Sequence, residues 1–77
     1  MSLKLLLGFH AVSVRLKVAP KSIRELHVDA TRRDQRMKQF LAKAEEAGLR
    51  VIDSDDDKLQ QMAGTHRHQG VVARFEA

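Results

Sequence analysis

Seventy-seven residues, 43% hydrophobic and 31% charged, are expected to make one small soluble globular domain, near the lower size at which a single core sustains itself. The absence of cysteine excludes a disulfide framework and any Cys-based zinc site, so stability rests on packing, as suits a protein of the reducing cytoplasm. The net charge of +4 is uneven, with eleven Lys/Arg against five Asp/Glu in residues 1–52 and three against five in residues 53–77; this favours a polyanionic partner, unless the basic residues merely solvate a helix face.

Residues 1–7 read as a leader, in part an expression remnant, that feeds a helix. The run Leu5-Leu6-Leu7 is too short for a signal sequence or a membrane span. From Gly8 to about Lys17, Phe9, Val12 and Leu16 fall at i, i+3 and i+7 and mark one helix face. Pro20 stops that helix. Ile23, Leu26 and Val28, separated by Arg24, Glu25 and His27, read as the first strand. Thr31-Arg32-Arg33-Asp34 has the Thr-x-x-acid spacing of a helix cap, which opens a long helix striped by Met37, Phe40, Leu41, Ala44 and Ala47 and closed by Gly48. Leu49, Val51 and Ile52 give a short second strand. Ser54 with Asp57 makes another capping signature, and Asp55, Asp56 and Asp57 load the positive end of a helix dipole. Leu59 and Met62 face inward from that helix, Gly64 ends it, and Val71, Val72, Ala73 and Phe75 form the last strand.

Helices alternating with β-rich strands imply a sheet covered on both faces, so the predicted fold is a three-layer α/β/α sandwich with a short mixed sheet. No internal repeat or low-complexity tract divides the chain, and residues 1–77 are expected to form one domain.

The chemistry of the side chains narrows the function. The run Asp53-Ser54-Asp55-Asp56-Asp57 lacks the alternating ligands, central glycine and distal glutamate of a calcium loop, and helix capping accounts for it. His66 and His68, with His10 and His27 elsewhere, lack a recognisable third ligand for zinc. No serine sits in a nucleophile elbow, and the four glycines at 8, 48, 64 and 70 are too isolated for a phosphate loop. No catalytic residue is therefore assigned. Arginine offers planar forks for phosphate, and Arg32, Arg33 and Arg36 are placed by this reading at the start of the long helix. With no Tyr or Trp and only three Phe, stacking of bases on an aromatic sheet is disfavoured. Recognition of RNA shape and backbone through Arg, Gln and His fits better.

Two short motifs stand at opposite ends of the chain, Gly8-Phe9-His10-Ala11-Val12 and His68-Gln69-Gly70-Val71-Val72-Ala73. In this order they resemble the substrate-binding domain of the SpoU-type (TrmH-like) RNA 2'-O-ribose methyltransferases. That domain opens with a Gly-x-His-Ala-Val helix and closes with His-Gln-Gly-Val-x-Ala, so the resemblance covers nearly the whole chain. It implies the fold of certain RNA-binding ribosomal proteins, and structured RNA as partner, of which 23S-type rRNA is the nearest and tRNA another within the family. It also implies a covalently linked, knotted catalytic domain that binds S-adenosylmethionine, no cofactor in this chain, a monomer for the isolated piece and a homodimer for the whole enzyme. The RNA-binding residues it implies, together with the arginine cluster, are His10, Arg32, Arg33, Arg36, Arg67, His68 and Gln69. Two positions depart from the family pattern. Thr31-Arg32-Arg33 stands where Gly-Arg is common, and Arg67 stands where a small or amide residue usually precedes the histidine. The alternatives are a stand-alone RNA-binding protein of the ribosomal type, such as a kink-turn binder, and a protein-interaction module with a solvated basic face.

Overall fold

Alternating apolar residues in two segments near the middle and the end of the chain set the centre of the sheet. In the computed structural model, which describes residues 3–76, these segments are β2 (Ile23–Asp29) and β4 (Val71–Glu76). They pair antiparallel, with Leu26 opposite Ala73 and Val28 opposite Val71. The spacing from Ile23 to Leu26 breaks strict alternation, and a bulge repairs it. Ile23 pairs with Phe75 while Glu25 pairs with Arg74, so Arg24 is an extra residue and Ile23 returns to the core face. β3 (Val51–Ser54) adds parallel to β2, with α2 (Gln35–Glu46) as the crossover between them.

The fourth strand is one that the sequence reading did not anticipate. Residues Leu3–Leu7, read as a leader, form β1, an edge strand antiparallel to β4. Leu6, opposite Ala73, packs on the core, whereas Leu3 and Leu5 point to the other face and stay exposed. A two-sided leucine run carries no period-2 pattern, which is why the strand was not legible. Met1, Ser2 and Ala77 lie outside the described residues. The sheet order is β1-β4-β2-β3.

The helices divide between the two faces. α1 (Phe9–Val18) and α2 pack on the face that carries Leu26, Val28, Val71, Ala73 and Phe75, and together they form the main core. α3 (Asp56–Ala63) lies against β2 and β4 on the other face, where Leu59 and Val72 are both fully buried apart from that core. The α/β/α arrangement expected from the sequence is thus present.

Two helix starts differ from expectation. Thr31 does not cap α2: its N–H and Oγ1 both donate to Asp29 Oδ1, at 2.9 and 2.6 Å, closing a turn at the end of β2. The helix begins at Gln35, after Asp34, so Arg32 and Arg33 belong to the loop and only Arg36 to the helix. Asp55, not Ser54, caps α3, accepting the Lys58 N–H at 2.8 Å, because Ser54 is taken up as the last residue of β3.

Because Leu59 alone among α3 residues is fully enclosed, Leu59→Ala should destabilise the fold by about 2–5 kcal/mol in urea or thermal unfolding. A cost below about 1 kcal/mol would mean that α3 contributes little to the folded state.

Candidate nucleic-acid interface

The two terminal motifs, sixty residues apart, meet at one corner. The residue before α1, Gly8, has φ 88° and offers no side-chain cap. The missing acceptor comes from the far end of the chain, since Gln69 Oε1 accepts the Phe9 N–H at 3.0 Å. Beside it, the Gly8 N–H donates to the Val71 carbonyl at 3.0 Å. A Cβ on Gly8 would lie 2.9 Å from Gln69 Oε1, so glycine is required both for its backbone angle and for this approach.

Gln69 is held by both its side chain and its main chain. It is the only described non-glycine residue with positive φ, at 54°, and Gly70 follows at 83°. The Val71 N–H donates to the His68 carbonyl at 2.9 Å across these two residues. Two left-handed central residues and that bond are the marks of a type I′ turn. The Gln69 carbonyl accepts from Arg32 Nη1, so strain at this glutamine is offset by two contacts that only this turn permits. Gly70 sits in a tight place, where an added Cβ would meet Arg32 Cδ and Asp29 Cβ at 3.4 Å.

Arg32 is the clamp of the corner. Its guanidinium donates to the Asp34 carboxylate, with Nε 2.6 Å from Oδ1, and lies 4.7 Å from the centroid of the Phe9 ring. Arg36, from α2, rests on the same ring at the same distance. Two cations therefore stack on one buried phenylalanine, which in turn meets Phe40 edge-on at 5.6 Å. The Arg32 hydrogen bond holds the Asp34 carboxyl below its ordinary range. Arg33, Arg36 and Arg67 have no carboxylate within 4.0 Å among the described residues. Their charge is thus available to an anion.

The seven residues marked from the sequence separate into groups. Arg32, Arg36 and Gln69 converge around Phe9, and exposed His10 follows it on α1 and shares a cleft with Arg36. Arg33 is exposed at the rim of a neighbouring groove of about 420 Å³ that also holds Arg32, Lys38 and Asp53. Arg67 is exposed in the loop before the turn. His68 lies inside, only 2% exposed. Its Nδ1 accepts the Gly70 N–H at 2.9 Å, so the neutral ring carries its proton on Nε2. That atom faces Asp56 Oδ1 of α3 at 3.1 Å, at an angle too bent for a hydrogen bond. The ring is thus tied to the turn through Nδ1, with Nε2 turned toward α3. Sequence reasoning missed Phe9 as the seat of two arginines. The signal available was its place between glycine and histidine at the start of the first motif.

The family described as RNA 2'-O ribose methyltransferase substrate binding matches residues 5–77. The chain belongs to that family. A 23S rRNA (guanosine-2'-O-)-methyltransferase RlmB of Ralstonia nicotianae is 55% identical over 74 residues, which is 96% of this chain and 30% of that protein. Proteins of the same name from Bordetella pertussis and a Burkholderia species are 53% and 47% identical, over 97% and 94% of the chain and 31% and 29% of their own lengths. This substrate-binding domain thus spans about a third of the relatives it matches.

A groove between α1 and α2 is lined by His10, Lys17 and Lys43. Among the described residues no three His, Asp or Glu side chains are placed to share a metal ion, and no helix is long and apolar enough to cross a membrane.

The contact between Gly8 and Gln69 predicts a coupled pair of variants. Gln69→Ala should cost about 0.5–2 kcal/mol, the value of a helix cap. Gly8→Ala should cost about 1–3 kcal/mol, because φ 88° with ψ 162° is a backbone conformation open essentially to glycine alone. Because both disturb one contact, the double variant should cost less than the sum by at least about 0.5 kcal/mol in chemical unfolding. Strict additivity would separate the two motifs energetically.

Proposed function

We propose that this domain is the RNA-recognition part of a 23S rRNA guanosine 2'-O-ribose methyltransferase, which grips structured RNA and presents a ribose 2'-hydroxyl to a linked catalytic domain. The observation that carries the reading is the corner itself. Both family motifs build it, and it displays Arg33, Arg36 and Arg67 without carboxylate partners. The names and the threefold greater length of the relatives support an rRNA substrate and a linked methyltransferase domain. In this reading S-adenosylmethionine belongs to that other domain, the isolated piece is a monomer, the whole enzyme is a homodimer, and the enzyme works in the cytoplasm.

The mechanism assigned to the domain is positional. Free guanidinium groups bind phosphate oxygens as bidentate forks, while backbone contacts fix register without reading bases. All three phenylalanines are buried, so no aromatic face is open for base stacking, and recognition rests on RNA shape and backbone. Arg32 and His68 serve by holding the turn and the clamp in place. His10 and Gln69 border the surface that Arg33, Arg36 and Arg67 make basic.

Fluorescence anisotropy with stem-loops tiled across bacterial 23S rRNA, at two salt concentrations, tests the reading. At least one stem-loop should bind more tightly than duplex DNA of equal length, and the preference should persist at the higher salt. Arg33→Ala and Arg67→Ala should each weaken that complex roughly uniformly across RNA sequences and make the log–log salt dependence shallower by about one, with unchanged unfolding. Equal, salt-sensitive binding to RNA and DNA would leave only generic charge and overturn the assignment.

A further inference from the structure

The two helices on the main-core face leave a groove between them whose walls repeat one pattern. On α1, His10, Ser13 and Lys17 stand at i, i+3 and i+7. On α2, Arg36, Gln39 and Lys43 stand at the same spacing. Each row runs about 10 Å along its helix, at roughly 1.5 Å per residue. Two adjoining clefts, about 630 and 220 Å³, share His10, Ser13 and Lys43 and form one continuous channel. Its floor is apolar, with Leu16 and Phe40 buried beneath it.

Every polar group in these two rows can donate a hydrogen bond, and Lys17, Arg36 and Lys43 have no carboxylate within 4.0 Å among the described residues. Glu46, at the end near Lys17, is the one acidic wall residue. The channel opens at its other end on Arg36 and Phe9, the corner where Gln69 meets α1. The opposite layer has the reverse polarity. α1 and α2 together hold five Lys/Arg against two Asp/Glu, whereas α3 with its cap holds Asp55, Asp56 and Asp57 against Lys58 alone. The charge of the domain is therefore polarised across its layers, and the basic side is grooved.

We propose that the α1–α2 groove is the track for the RNA phosphate backbone, carrying it away from the Arg36 corner, with Lys17, Arg36 and Lys43 on the phosphates and Ser13, Gln39 and His10 donating to phosphate or ribose oxygens. The proposal rests on the domain being an RNA binder and names the surface it uses. A row of cations at helical spacing tracks a polyanion without reading its sequence. Glu46 limits the track at its far end.

The test uses the same 23S rRNA stem-loops and three charge variants of the chain, each checked by circular dichroism. Lys17→Glu with Lys43→Glu should weaken binding at least tenfold and make the log–log salt dependence shallower by about two. Glu46→Lys should strengthen binding and steepen that dependence by about one. Arg50→Glu with Lys58→Glu makes the same change in net charge away from the groove, at exposed positions before β3 and on α3, and should weaken binding less than threefold. Wild-type binding that falls equally in both double variants would overturn the groove while leaving the RNA reading intact. A wild-type chain indifferent to every stem-loop would overturn both.

Discussion

One hydrogen bond organises the functional end of this domain. The Gln69 amide oxygen accepts the N–H of Phe9, so a residue from the last loop completes the first turn of the first helix. Any side chain that supplies this acceptor from so far along the chain must be fixed in place. Here that requires a left-handed Gln69, a glycine on each side of the contact at positions 8 and 70, and Arg32 reaching the Gln69 carbonyl. The terminal motifs of the family are therefore parts of one joint. Their residue types follow from its geometry before any ligand is considered.

The joint also decides which charges are free. Arg32 is consumed in the clamp by Asp34, Gln69 and the Phe9 ring. Arg36 shares the ring but has no carboxylate within 4.0 Å among the described residues, and Arg33 and Arg67 likewise carry unopposed charge. Other arginines are neutralised within the sheet. Arg24 pairs with Glu76, and Glu25 accepts from His27, with Arg74 near it. Those contacts hold the Glu25 carboxyl below its usual range, the His27 hydrogen bond being the larger cause. Basic charge thus collects on the helical layer of α1 and α2, with the carboxylates of α3 on the far side of the sheet.

Much of this was legible in the sequence, and what was not has specific causes. The three helices, the two central strands and the layered class follow from apolar spacing and from Gly48, Gly64 and Pro20. β1 was missed because Leu5, Leu6 and Leu7 show no alternation, and only pairing with β4 makes them a strand. The start of α2 was misplaced because Thr31 finds a nearer partner in Asp29 than any helix N–H, a choice that local spacing does not reveal. Among the marked residues, Arg33 and Arg67 stand apart, while Arg32, Arg36 and Gln69 converge on Phe9. His68 does not join them, since a histidine next to a turn reads the same whether its ring points out or in. The groove rows were visible as helical spacing, but their facing required the packing of α1 on α2.

Titrating the ¹⁵N-labelled chain with the best-bound 23S rRNA stem-loop, and mapping backbone amide shifts, tests the account most directly. Shifts should concentrate on α1, on α2, and on the segments around Arg33 and Arg67–Gly70, leaving Asp56–Ala63 unmoved. Shifts centred on α3 or on the outer face of β1 would contradict it, because RNA would then sit on the acidic or uncharged side of the molecule.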